Sequence, residues 1–446
     1  MQTIDTLITA RWVVPVEPDG HVLEDHAVAI NGGQVVAVLP AAAARMRYAA
    51  RENVERPSHV LMPGFVNAHT HAATTLLRCR VQNQRPGPWQ PGGVRALERR
   101  WSGPEFARDG TELAIAEMLR AGVTCFADTH SWPDVVAQTA AGCHVRASIG
   151  LPVSEAATAW ASTADEHIDR GMHLRDQYRG DPLLSTHFAP QAPHALGDAT
   201  LARVRRLADE LDLPVALHLH ETAWEIEQSE GRFGMRPLAR LAAIGLASPQ
   251  LVAVHMVHVT PSDLETLAGC GASVVHCPES NLKRGAGVCP LPDLLGRGVP
   301  VSLGTGDAAS CDDLDVLGES RTAGLLASGV SATPGTVVAS DLLRMATLEG
   351  ARALGLGEVT GGLVPGKWAD LCCMDLRSPR SWPVADVLAA VVYAASSRQV
   401  TDTWVAGRRL LADGALVYLD ETAVLERAES WRVRMDGASP EVAADE

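Results

Sequence analysis

The stretch Pro214–Glu221, "PVALHLHE", is an apolar run of strand length that ends in ionisable residues. Side chains alternate along a strand, so His218 and His220 share one face, while Glu221 falls where the chain leaves it. Working outward, the same texture recurs seven more times. The runs are "HVLMPGFVNAHTH" (59–71), "VTCFADTH" (123–130), "HVRASIGL" (144–151), "LLSTHFAPQ" (183–191), "LVAVHMVH" (251–258), "ASVVHCPES" (272–280) and "VPVSLGTGD" (299–307). Between several of them lie segments with apolar residues at helical spacing, such as 106–122, 199–213 and 261–271, with glycine near their ends. Eight β–α units in series predict a (β/α)8 barrel rather than a doubly wound sheet. Chemistry in such barrels sits at the C-terminal ends of the strands. Here those ends collect His69, His71, His218, Glu221, His255, His276 and Asp307.

Both termini have another character. Residues 4–16 and 26–40 are β-rich, the second with "NGG" as a turn, and the regions 368–376 and 400–417 match them. The expected organisation is a small discontinuous β-sandwich, 1–61 and 366–446, flanking a barrel of 62–365. The acidic, small-residue end, "MDGASPEVAADE", is expected to fray.

Bulk properties narrow the partners. A formal net charge of -15, with no basic tract, argues against nucleic acid and anionic membrane surfaces. No apolar run approaches the roughly 18 residues of a membrane span, and no charged-then-apolar leader opens the chain. Nine scattered cysteines read as reduced thiols, so the expected location is the cytoplasm.

The histidines carry the chemistry. His69 and His71 face one side of their strand, where two neutral imidazoles can share a divalent metal. His218 offers a third ligand. Glu221 would lie close to the metal water and carry protons between water and a ring nitrogen. His255, deeper in its strand, would orient the attacking oxygen and stabilise developing charge. His220 and His276 are expected in supporting or structural places. A pair of polar residues at a strand exit is the bland alternative for the HxH. Convergence of several such exits outweighs it.

The segments "PGFVNAHTHAATTLLR" (63–78), "RDGTELAIAEMLRAGVTCFAD" (108–128), "HLHET" (218–222), "HCPESNLKRGAG" (276–287), "AASCDDLDVLGESRTAGLLA" (308–327) and "GGLVPGKWADL" (361–371) occur in order. Together they resemble the amidohydrolase superfamily, in the branch of S-adenosylhomocysteine/methylthioadenosine deaminases and triazine hydrolases. The resemblance implies one divalent metal on His69, His71 and His218, zinc first, with iron or manganese as alternatives. It implies proton shuttling by Glu221 and hydroxide positioning by His255. Glu98 matches a glutamate that contacts ribose hydroxyls, and Arg146 an arginine near the substrate. Branch members often form homo-oligomers, an expectation by analogy alone.

Three stretches depart from the branch pattern. Where the deaminases read L-G-T-D-G-A-A-S, this chain has Gly306 and then Asp307. On a regular strand Asp307 would point away from the metal, whereas a bulge at Gly306 would re-aim it, and both outcomes stay open. Asp307 is carried forward as a candidate ligand and proton acceptor. Gln191 replaces a purine-contacting histidine, and His194 stands where an aromatic is usual; a glutamine amide cannot become cationic, so base recognition should differ. The Pro/Gly-rich segment 81–95 replaces an acidic-apolar one and is expected to cover the pocket, with Trp89 stacking on a flat ring. The leading expectation is a metal-dependent hydrolase that deaminates an aminopurine, an adenine nucleoside or a related base. The alternatives are loss of chloride, thiolate or alkoxide from a heterocycle, and a heterocycle-binding protein without catalysis.

Overall fold

A computed structural model describes residues 1–80 and 93–437. Trp89 and most of the expected covering segment lie outside the described residues. The chain forms two eight-stranded sheets. The N-terminal strands β1 (Gln2–Val13), β2 (Leu23–Asn31), β3 (Gln34–Pro40) and β4 (Tyr48–Pro63) belong to the first sheet. The next eight form the second: β5 (Phe65–Thr70), β6 (Val123–Asp128), β7 (Arg146–Val153), β8 (Leu184–Pro190), β9 (Val215–Leu219), β10 (Leu251–His255), β11 (Ser273–His276) and β12 (Val301–Leu303). Finally β13 (Leu371–Asp375), β14 (Val400–Val405), β15 (Arg408–Ala412) and β16 (Ala415–Leu416) return to the first sheet, whose order is β16-β15-β14-β13-β4-β1-β2-β3.

The second sheet runs β5 to β12 in sequence order, every ladder parallel, with helices in the crossovers. This is the α/β barrel, joined to a mixed sheet built from both termini. One face of each strand packs outward into a large apolar layer that includes Phe126, Phe188, Leu217 and Leu303. Val252, Val254, Val275 and Ala216 form a separate small cluster. Alternation along parallel strands covered on both sides explains the near-continuous apolar runs of the sequence.

No regular ladder joins β12 to β5. The seam is instead a bridge between Thr70 and Gly306, with Gly306 N–H donating to His69 O at 3.0 Å. Gly304 makes that approach possible. A Cβ there would lie 2.9 Å from His69 N and O, closer than real atoms pack. The barrel therefore closes at the histidine pair itself.

A buried ion pair ties the barrel to the terminal sheet. Arg146 is the first residue of β7, at the end of the barrel opposite the histidines. Its Nε lies 2.6 Å from Asp370 Oδ2, and its Nη1 donates to Pro182 O at 2.8 Å. Arg146, expected near the substrate, lies at the rim away from the histidines and links the barrel to the terminal sheet. A strand's first and last residues lie on opposite barrel rims, and only the last faces the chemistry. No helix among the described residues is long and apolar enough to cross a membrane.

Candidate metal centre

His69 and His71 leave β5 through an irregular stretch: pairing with β6 shifts register between Asn67 and Thr70. His218 is the penultimate residue of β9, and His255 ends β10. Donor atoms of His69, His71 and His218 lie within 4.8 Å of one another, as do those of His218, Glu221 and His255. His218 belongs to both sets. Its Nε2 is 2.9 Å from His69 Nε2, and its Nδ1 is 3.8 Å from Glu221 Oε2.

Outer contacts set the ring orientations. His71 Nδ1–H donates to Thr129 O at 2.5 Å, which leaves its Nε2 lone pair for a ligand. His255 Nδ1–H donates to Asn281 Oδ1 at 2.8 Å, and its Nε2 lies 3.9 Å from Glu221 Oε2. His255 takes the left-handed backbone region, φ 80°, as do His220 at 54° and Met256 at 47°. Such angles in bulky residues are sparsely populated and cluster at functional sites. Backbone bonds hold the turn: Met256 N–H to Leu219 O, and Val257 and His258 N–H to His220 O.

Burial, reinforced by neighbouring imidazoles, pushes His69 well below the usual histidine range. Burial also lowers His71, against the opposing pull of Asp307, and lowers His255. Neutral rings keep their lone pairs available. Three imidazoles with converging nitrogens fit a divalent cation of the zinc type, which takes nitrogen donors at about 2.0–2.1 Å.

Asp307 comes to the edge of this centre. Gly306 adopts φ 70°, a region open to glycine, so the aspartate is displaced from regular strand alternation. Its backbone takes the N-cap position of the short helix Ala308–Cys311 without a side-chain cap bond, and Ser310 Oγ donates to its Oδ2 at 2.8 Å. Its Oδ1 is buried without a hydrogen bond among the described residues. The carboxylate acts on His71 electrostatically yet stands outside both close donor sets.

Of the residues expected to meet substrate, Gln191 is exposed at the exit of β8, its backbone N–H donating to Val153 O at 2.9 Å. His194 packs edge-on against Trp224, with ring centroids 5.1 Å apart. Glu98 is half-buried on the helix Val94–Trp101. Val94 and Leu97 of that helix pack with Leu76 and Leu77, on the turn that follows His71. His276 is buried, with its ring pushed down to about 3 by desolvation. His220 stays structural: its Nε2 accepts from Leu238 N–H at 3.2 Å.

Sequence reasoning missed three residues: Asn281 and Arg284 beside the centre, and Trp224 beside His194. Arg284 Nη1 lies 2.7 Å from Glu221 Oε1. Two of the three sit inside the "HCPESNLKRGAG" motif, whose density of polar residues after a strand end was the available signal.

The Amidohydrolase family model matches residues 60–410. A 5-methylthioadenosine/S-adenosylhomocysteine deaminase of Teredinibacter turnerae is 40% identical, over 97% of this chain and 98% of that one. A similarly named protein of Saccharophagus degradans is 36% identical, covering 97% of each chain. An adenosine deaminase from Xanthomonas campestris, solved with bound zinc, superposes with a TM-score of 0.96 at 46% identity, covering 98% of this chain and all of that one. Atrazine chlorohydrolase from Arthrobacter aurescens, with zinc, gives 0.88 at 23% identity over 96% and 99% of the two chains, a likeness of fold. Barrel, histidine geometry and family match agree, and the chain belongs to the amidohydrolase family of hydrolytic enzymes.

Proposed function

We propose that this protein hydrolytically deaminates an adenine nucleoside or a close thioether derivative of one, with zinc on His69, His71 and His218. The observation that carries the reading is the Glu221 carboxylate, whose Oε2 stands 3.8 Å from His218 and 3.9 Å from His255. Similarity to deaminases over nearly the whole chain supports the substrate class. When bound, a divalent ion supplies a Lewis acid that makes water nucleophilic at neutral pH.

The chain's own residues do the rest. Glu221 accepts a proton from the attacking water and gives it to the ring nitrogen beside the carbon under attack. His255, held by Asn281, keeps the oxygen in line and stabilises its charge. Oxygen bonds to the ring carbon, the water's second proton passes to the amine, the carbon–nitrogen bond breaks, and ammonia leaves. Asp307 sits beside His71, where a carboxylate can help strip the water. Glu98 holds ribose hydroxyls, and Gln191 and His194 border the base, with Trp224 beside His194. Nine unpaired thiols support a reducing, cytoplasmic setting, and family analogy supports a homo-oligomer.

A second reading follows from the displaced carboxylate. With Asp307 outside the donor sets, the protein acts on a heterocycle with a better leaving group, such as chloride, thiolate or alkoxide. One assay series separates the two. Protein of measured metal content is given adenosine, 5'-methylthioadenosine, S-adenosylhomocysteine and their 6-chloro and 6-methoxy counterparts. Ammonia release from the amines supports deamination; turnover of the 6-chloro or 6-methoxy compounds alone supports the second reading. A fully metallated protein inert to all of them would defeat both.

A further inference from the structure

One short segment, Asn281–Ala286, reaches three strand-end residues at once. Asn281 Oδ1 accepts from His255 Nδ1 at 2.8 Å. Arg284 Nη1 stands 2.7 Å from Glu221 Oε1. The carbonyl of Ala286 accepts from His258 Nε2 at 2.9 Å. The segment is closed by its own backbone: Arg284 N–H donates to Ser280 O at 3.1 Å, and Ala286 N–H to Asn281 O at 2.9 Å. Arg284 is therefore placed by main-chain bonds on either side of it, independently of its side chain.

Glu221 needs such a partner. The terminal torsion of a glutamate is broad and roughly two-fold, so packing alone fixes a carboxylate poorly. Its main chain is already held, because the backbone N–H of Glu221 donates to Glu225 Oε2 at 3.1 Å. The guanidinium holds the other end. With Oε1 engaged by Arg284, Oε2 is turned toward His218 and His255.

We propose that Arg284 is a positioning residue for Glu221, pinning one carboxylate oxygen so that the other faces the reacting centre. This rests on Glu221 being the proton carrier of the proposed reaction. An arginine suits the task because its charge is permanent, and at 2.7 Å it holds Oε1 by close ionic attraction rather than by an aligned hydrogen bond. The segment so acts as an outer brace. It aims His255 through an amide and Glu221 through a guanidinium.

The Arg284 side chain is 45% exposed while Glu221 is 4% exposed, so truncating the arginine should leave the fold intact and open a path for a small cation. The test uses metal-loaded wild type, Arg284→Ala and Arg284→Lys with the best adenine nucleoside substrate. Arg284→Ala should lose about 10- to 100-fold in kcat with KM changed less than about threefold, as expected for a misplaced catalytic group. Millimolar guanidinium should restore part of that kcat in the alanine variant only, and the lysine variant should fall between. A parallel crystal structure of Arg284→Ala should show the Glu221 carboxylate rotated or in two orientations. An unchanged or raised kcat, or failure of guanidinium to rescue, would overturn the proposal. If wild type deaminates no nucleoside, the proposed reaction is what fails. The crystal structure then decides alone, and an unmoved Glu221 carboxylate overturns the positioning role.

Discussion

Thr70 Oγ1 donates a hydrogen bond to the carbonyl of Gly306 at 2.9 Å, and this contact joins the last barrel strand to the first beside the two histidines. The closing seam and the candidate metal centre are thus one construction, so changes to the seam should be read out in metal binding.

Gly304 and Gly306 separate two causes of damage at that seam. A Cβ at Gly304 would collide with the His69 backbone at 2.9 Å, whereas at Gly306 it would meet Ser280 at an ordinary 3.4 Å. Only the left-handed backbone opposes a side chain at Gly306. Gly306→Ala should therefore cost about 1 kcal/mol, with metal retained. Gly304→Ala should cost more and release metal. Denaturant melts with metal analysis check the order; equal effects would show that the close approach is dispensable.

Asp307→Asn keeps shape but removes the charge that opposes desolvation of His71. Metal affinity should fall by about tenfold or more, and kcat should fall with it, as for other supports of metal ligands. Unchanged affinity and turnover would leave the carboxylate as an acceptor for Ser310 alone. The double exchange Gly306→Asp with Asp307→Gly should raise deamination of adenosine-like substrates if the displaced aspartate is what limits it.

Glu221→Gln should retain metal and fold yet lose about 10²–10⁴-fold in kcat, since an amide carries no proton. His69→Ala, His71→Ala and His218→Ala should instead lose metal. A histidine variant that keeps stoichiometric metal removes that residue from the ligand set.

Arg146 supplies a test at the opposite rim. Asp370→Asn leaves a buried guanidinium without its counter-charge, which typically costs about 3–5 kcal/mol. Stability should drop while KM stays put. A raised KM at unchanged stability would return Arg146 to the substrate.

Asp402, in the terminal sheet, gives a pH signature. Burial raises its pKa, but hydrogen bonds from Arg56, Arg409 and Thr401 outweigh that and bring it down to about 2. Its folded value lies below the unfolded one near 3.8, so its stabilisation is full above about pH 4 and is lost as pH falls toward 2. Asp402→Asn should remove roughly 2 kcal/mol at pH 7, and the difference from wild type should vanish near pH 2. A gap that persists at pH 2 would assign the effect to packing.

The sequence by itself determined whatever depends on neighbours along the chain. Apolar runs closed by polar residues marked eight strands and their chemical ends, because side-chain alternation and strand length are local properties. The identities of His69, His71, His218, Glu221 and His255 carried their coordination and proton chemistry with them. Tertiary structure alone decided the remainder. Arg146 and His255 both sit in apolar runs, yet one begins its strand and the other ends it, which puts them on opposite rims. The local backbone admitted two positions for Asp307, and the Thr70–Gly306 bridge with a left-handed glycine chose the one beside His71. Arg284 met Glu221, and Trp224 met His194, only once separate β–α units stood side by side. A contact between units is a property of strand order and closure, and no short window of sequence contains it.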